Sequence, residues 1–238
     1  MMRAVLLGLA LPLALSGAAA AAPFGSVDTD AARRGFEIYT QSCAACHSLN
    51  YMHFRDLAGI GFTPAQIAAT AAKTNVQTGV DDKGKPVTRP ATPADPFPAP
   101  FASEDAARAA MNGALPPDLT LMAKARDGGA DYIEALLTGY KDPPKDLKLG
   151  QGMNYNPVFP GGQIAMPPPL SAGAITYSDQ RVASTVDQNA ADVAAFLAWT
   201  ADPQAANRRR VGWIAVGYFV LMTGVTFKLR NRIFAGLK

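Results

Sequence analysis

Both cysteines of this 238-residue chain fall in one pentapeptide, Cys43-Ala44-Ala45-Cys46-His47. The spacing suits covalent attachment of a c-type haem. The two thiols would add to the two vinyl groups of the porphyrin, and the imidazole that follows would then reach the iron from one face. A structural disulfide, a thioredoxin-type redox pair and half a zinc site are competing uses of the same residues. A zinc site lacks its other ligands, because His53 is the only other histidine. A redox pair does not require the trailing His and belongs in a βαβ setting that this chain does not suggest. One motif means one haem.

An iron held by His47 has a further axial position to fill. His53 and Met52 lie too close in sequence to His47 to reach round the same porphyrin, and His53 reads as a surface or packing residue. That leaves a methionine, whose thioether raises the reduction potential. Met1 and Met2 sit at the extreme N-terminus and Met222 in a C-terminal apolar run, while Met111 and Met122 fall in helical patterns where a core role is the default. Met153 and Met166 lie in loops. Met166 stands in Ile164-Ala165-Met166-Pro167-Pro168-Pro169-Leu170, where three prolines stiffen the chain and remove competing N–H donors. Met166 is therefore the expected ligand, with Met153 second.

The two ends are not part of the globule that positions these groups. Residues 1–22 combine Arg3, an apolar run from Ala4 to Leu15 and five alanines, which describes a signal peptide cleaved between Ala20 and Ala22. Val211 to Phe227 is uncharged, follows Arg208, Arg209 and Arg210, and precedes Lys228, Arg230, Arg232 and Lys238. With Trp213 and Tyr218 it reads as a transmembrane anchor, so 208–238 is expected to be the anchor and a short cytoplasmic tail. Export of the body places 23–207 outside the cytoplasm. That body holds fourteen Lys and Arg against nineteen Asp and Glu, a net charge of −5. An acidic domain argues against nucleic acid and favours a basic partner. A composition of 49% hydrophobic and 17% charged residues excludes a disordered chain, and two cysteines exclude a disulfide-stapled mini-domain.

The pattern predicts a helix from Thr29 to Cys43, with Phe36 and Tyr39 on one face. Thr63-Pro64-Ala65-Gln66 starts another, with an N-cap, Pro at the first position and a capping-box Gln. Thr78 to Phe101 reads as turns and prolines. Ser103 caps a helix that stops at Gly113, Asp118 opens one that ends at Gly128, and Asp131 to Thr138 forms a third that stops at Gly139. Tyr140 to Ser178 is mostly irregular and carries Met166. Thr185 to Gln188 caps a last soluble helix with an apolar stripe of Val193, Phe196, Leu197 and Trp199. No sustained period-2 run appears. The expected class is all-α: one c-type cytochrome domain with long irregular loops plus one C-terminal transmembrane helix.

Three segments, CAACHSLNYMHFRDLAGIGFT (43–63), AARAAMNGALPPDLTLMAKARDGGADYIEALLTGY (106–140) and YNPVFPGGQIAMPPPL (155–170), resemble the cytochrome c1 family. The likeness covers essentially the whole mature chain, and NGALPPDL with the Met loop is far more specific than the haem motif alone. It implies one covalently bound haem c, with Cys43 and Cys46 in the thioether bonds and His47 and Met166 on the iron. It also implies that Arg126 faces a haem propionate, that Tyr132 hydrogen-bonds near the same edge, and that Pro116 and Pro117 line the crevice. Read from the residues alone, Arg126 is equally a cation compensating a helix dipole, and Tyr132 a packing residue. The extra cysteine pair that some bacterial members carry near the haem is absent.

The resemblance further implies an electron-relay subunit of a dimeric bacterial ubiquinol–cytochrome c oxidoreductase. Its partners would be cytochrome b, a Rieske iron–sulfur donor, a soluble or membrane-anchored c-type cytochrome as acceptor, and membrane lipid around Arg208 to Arg210. The haem domain would be periplasmic on a single-pass anchor in the inner membrane. No substrate chemistry is expected in this chain alone. A freestanding tethered carrier would show a long polar tether, whereas only Ala201 to Asn207 separates the last helix from the arginines. A two-haem peroxidase would need a second haem motif, and a one-haem peroxidase an open or labile axial position.

Overall fold

In the computed structural model, residues 28–237 are described, and the expected signal peptide lies outside them. Helix α1 (Thr29–Ile38) starts at Asp28, whose carboxylate accepts from the backbone N–H of Asp30 at 2.9 Å and of Ala31 at 3.1 Å. It runs on through a π-helical turn (Tyr39–Cys43), so one continuous helical element ends on the first cysteine. Its partner is α6 (Val186–Ala201), capped as expected by Thr185, whose hydroxyl accepts from Gln188 N at 3.1 Å. Val193, Phe196, Leu197 and Trp199 of α6 are all buried, as are Phe36 and Tyr39.

α1 and α6 cross at Gly35. A Cβ there would stand 2.6 Å from Phe196 Cβ and would run into the Asp192 carbonyl oxygen, so only glycine permits this approach. Beside the crossing, Arg34 donates from Nε and Nη2 to the two carboxylate oxygens of Asp192 at 2.9 and 2.7 Å. Asp192 is buried, and the hydroxyl of Tyr177 lies 3.0 Å from its Oδ2 and 2.7 Å from Asn189 Oδ1. A buried carboxylate so fully partnered fixes the register of the two helices, and loss of Arg34 would leave its charge uncompensated.

Aromatic rings fill the space around the crossing. Phe36 meets Phe62 edge-on at 5.4 Å and Phe196 at 5.7 Å, Phe54 lies 4.3 Å from Phe97, and Phe196 lies 5.9 Å from Trp199. A 3₁₀ helix (Phe54–Ile60) closes this core, and α2 (Pro64–Ala71) follows with the expected capping box. Thr63 Oγ1 accepts from Gln66 N at 3.3 Å, and Gln66 Oε1 accepts from Thr63 N at 3.0 Å. α3 (Glu104–Ala110) is capped by Ser103, and α5 (Gly129–Thr138) packs on α6.

Two expectations are corrected. The all-α class does not hold throughout, because residues 75–90 form an antiparallel hairpin of β1 (Asn75–Val80) and β2 (Pro86–Pro90). Asp81 Oδ1 accepts from Lys83 N and Lys85 N, and Gly84 supplies the positive φ that the turn requires. Nearly every hairpin residue is exposed, so no inside–outside alternation marks it in the sequence. Likewise a short ribbon pairs β3 (Asn154–Tyr155) with β4 (Gln163–Ile164) inside the long irregular stretch. The second correction concerns Asp118, which opens no helix. Its carboxylate holds a loop, and α4 is confined to Met122–Ala125.

After a break at Asp202, α7 (Ala205–Phe234) extends for 30 residues, about 45 Å at ~1.5 Å per residue. None of its side chains is buried, and Trp213, Phe219 and Val220 are among those facing outward. Thr223 and Thr226 turn their hydroxyls back onto the carbonyls of Phe219 and Met222 at 2.8 Å. The helix is long and apolar enough to cross a membrane. Asp202 joins domain to anchor by accepting from Lys124 Nζ at 3.0 Å and pairing with Arg208.

Gly35→Ala tests the helix crossing. The methyl group has no room to settle, so the variant is expected to lose about 2–3 kcal/mol of stability, measured by denaturant unfolding of the full chain in detergent. Ala31→Gly on the same helix, a change of helix propensity, should cost only about 1 kcal/mol.

Candidate functional site

Because α1 continues to Cys43, the haem motif leaves the core as an extra helical turn. Ala44 N bonds Tyr39 O at 2.8 Å, and the N–H groups of Cys46 and His47 both bond Cys43 O, at 3.1 and 2.9 Å. Both thiols are free and half-buried. Burial pushes the Cys43 thiol up to about 12, with the Cys46 thiol adding to the effect. The Tyr39 hydroxyl donates to His47 O at 3.0 Å and pins the end of the turn to the aromatic core.

The orientation of His47 is set from across the site. Its Nδ1 lies 2.8 Å from the carbonyl oxygen of Pro117. A carbonyl only accepts, so the proton sits on Nδ1 and Nε2 presents its lone pair. Burial lowers the imidazole's pKa, opposed in part by the Pro117 contact, which favours the neutral, ligand-ready form.

Asp118 keeps that carbonyl in place. Its Oδ2 accepts from Ser48 Oγ at 2.8 Å and Asn50 N at 2.7 Å, and its Oδ1 from Thr120 N at 2.9 Å. Burial pushes this carboxyl upward, but the hydrogen bonds from Asn50, Thr120 and Ser48 hold it below its usual value. The segment after the haem motif and the segment around Pro117 are thus bolted together by one charged side chain. Pro116 is half-buried beside it, while the ring of Pro117 is exposed.

Met166 is half-buried, and its backbone is fixed. Its carbonyl accepts from Tyr140 Oη at 3.1 Å and more weakly from Asn154 Nδ2 at 3.4 Å. Leu170, four residues on, is buried in a cluster with Ile38, Ile175, Tyr177 and Val193, against which Cys43 and Leu137 pack. The thiol turn and the methionine loop therefore share one apolar cluster. Met153, the second candidate, is exposed. Met52 is a core residue, and His53 caps the 3₁₀ helix, its N–H donating to Asp56 Oδ2 at 2.7 Å.

Arg126 follows α4 in extended conformation, exposed, its Nη1 donating to Ala125 O at 3.1 Å. Tyr132 is half-buried against the main core cluster. Sequence reasoning missed the Pro117 carbonyl, the Asp118 clip and the Tyr140 and Asn154 donors. Only Asp118 carried a local signal, and it was the signal of a helix cap.

Among the described residues no group of three or more His, Cys, Asp or Glu side chains could hold a bare metal ion. One imidazole and one thioether are the kinds of donor that would complete an iron whose other four ligands come from a porphyrin, and two thiols three residues apart are the kind that would tie the ring to the chain. The residues fit a haem c.

Comparison with known proteins points to a haem protein. The profile of the Cytochrome C1 family matches residues 19–237. A relative from Solanum tuberosum, "Cytochrome c1-2, heme protein, mitochondrial", is 43% identical over 205 residues, covering 85% of this chain and 78% of the relative. "Cytochrome b-c1 complex catalytic subunit, mitochondrial" of Candida albicans is 46% identical over 190 residues, covering 79% of this chain and 66% of the relative. "Cytochrome b/c1" of Bradyrhizobium diazoefficiens is 39% identical over 237 residues, covering 90% of this chain but 34% of that longer protein. The haem motif, the methionine loop and the single apolar C-terminal helix thus stand within a match that spans nearly the whole chain, which belongs to the cytochrome c1 family.

Proposed function

We propose that this chain is the membrane-anchored haem subunit of a ubiquinol–cytochrome c oxidoreductase and relays single electrons. The observation that carries the reading is the state of His47. Its Nδ1 proton is committed to the Pro117 carbonyl and its Nε2 is free, one residue after the second of two thiols. When bound, one haem c would supply a one-electron iron couple.

Each residue then has a task. Cys43 and Cys46 would each add their S–H across a vinyl group and tie the group covalently to the end of α1. His47 and Met166 would hold the iron, the thioether favouring the reduced state and so a high potential. Arg126 would face a propionate, Tyr132 would bond near the same edge, and Pro116 and Pro117 would line the crevice. Nothing in these roles moves a proton to or from a substrate, so quinol chemistry belongs to partner subunits.

The donor would be a Rieske iron–sulfur protein and the neighbour in the membrane a cytochrome b, in a dimeric complex. The cytochrome b part of this assembly is supported by relatives named as part of cytochrome b-c1 and as cytochrome b/c1. The acceptor would be a periplasmic c-type cytochrome, attracted to the acidic body, whose net charge is −5. The haem domain would lie in the periplasm with α7 spanning the inner membrane once, the tail in the cytoplasm and Arg208 to Arg210 near anionic lipid headgroups.

Gentle detergent capture through a tag on the C-terminal tail tests the assembly. Co-elution of b-type haem and a Rieske [2Fe–2S] EPR signal with the c-type haem is expected. A lone c-type haem at full occupancy, under conditions that keep other complexes intact, would favour a tethered carrier. Met166→Leu tests the ligand. Loss of the iron–sulfur charge-transfer absorption and a fall in midpoint potential on the order of 0.1 V are expected, within the ~0.8 V range that axial ligation commands. An unchanged spectrum and potential would exclude Met166.

A further inference from the structure

The methionine loop has little means of holding itself. Pro167, Pro168 and Pro169 have no N–H to donate, and no strand among the described residues pairs with 165–185. Between Ser171 and Ser184 the loop's own backbone bonds include Ala174 N to Ser171 O at 3.2 Å and Gly173 N to Ser184 O at 2.8 Å, which tie the loop to itself. What ties it to the rest of the domain is a row of side chains on the element that ends in the haem motif.

Ser42, next to the first cysteine, donates from Oγ to Pro169 O at 2.7 Å. Gln41 makes a reciprocal pair with Thr176, donating from Nε2 to its carbonyl at 3.1 Å and accepting from its N–H on Oε1 at 3.0 Å. One turn earlier, Glu37 accepts from Ser178 N at 2.8 Å on one carboxylate oxygen and from Ser178 Oγ at 2.6 Å on the other. The same Gln41 Nε2 also donates to the Glu37 backbone carbonyl at 3.0 Å, which ties the Gln41 side chain back onto its own helix. Five hydrogen bonds thus run from three side chains on one helical element to both ends of the segment that follows Met166.

We propose that Glu37, Gln41 and Ser42 are positioning residues that set where Met166 stands relative to the haem motif. The inference rests on the reading of Met166 as an axial ligand. Cys43, Cys46 and His47 leave the end of this element, and the clamp references the opposite ligand to the same rigid body. Tyr140 and Asn154 fix the Met166 carbonyl from the other side. With both flanks held, Met166 has little freedom to withdraw, and a competing ligand would reach the iron only slowly. In a chain without a disulfide among the described residues, this clamp takes the part of a covalent brace.

The test uses the full haem-loaded chain in detergent, with imidazole as the competing ligand for the ferric iron. Gln41→Ala and Ser42→Ala are each expected to raise the rate of imidazole capture about five-fold, the scale of losing one or two partly exposed hydrogen bonds. Hydrogen exchange at the Thr176 amide should quicken by a similar factor in Gln41→Ala, and Ser42→Thr, which keeps the hydroxyl, should restore the parent rate. Thr63→Ala, which removes a distant helix cap and lowers stability alone, should change neither reading. Clamp variants that capture imidazole at the parent's rate, while Met166→Leu abolishes the iron–sulfur charge-transfer absorption, would overturn the clamp. If Met166→Leu leaves that absorption intact, the ligand reading fails instead, and the clamp has no ligand to position.

Discussion

The close approach of α1 and α6 at Gly35 is the constraint on which the site depends. With no side chain between them, the two helices lock through the Asp192 carbonyl, the Phe196 side chain and the half-buried Arg34–Asp192 pair. α1 then runs without a break into Cys43. The direction in which the thiols and His47 leave the core is therefore fixed by helix packing rather than by a loop. A redox group tied to these thiols would take its position from the rigid body of the two helices.

The two faces of the site are built by different means. On the histidine side a single carboxylate, Asp118, gathers Ser48, Asn50 and Thr120 and so holds the Pro117 carbonyl against the imidazole. On the methionine side the chain is irregular and proline-rich, and its place is set by donors and acceptors from Tyr140, Asn154 and the α1 element. Prolines stiffen such a loop but cannot anchor it, since they offer no N–H. Stiffness came from composition, and location from elsewhere in the fold.

That division explains what could be read from the sequence. The caps at Thr63, Ser103 and Thr185 and the apolar stripe of α6 are local signals, and each appears where the pattern placed it. Cys43, Cys46, His47 and Met166 could be picked out as candidates because residue type and spacing carry the chemistry they would perform. The 75–90 hairpin was not, because it is exposed on both faces and its strands show no alternation. Asp118 was misread for a subtler reason: an aspartate before an apolar stretch looks like a helix cap, and only the fold brings Ser48 and Asn50 to it. The Pro117 acceptor is main chain, which no side-chain pattern reports. Long-range partners such as Gln41 and Thr176, separated by 135 positions, leave no trace in a single sequence.

The account stands on one covalent haem at the end of α1. Its most direct test is the mass of the full-length chain after acid denaturation, followed by peptide mapping. The account predicts one haem retained per chain, on the peptide that holds Cys43 and Cys46, with neither thiol open to alkylation. Haem released on denaturation, or a chain with both thiols alkylated and the haem still present, would contradict it.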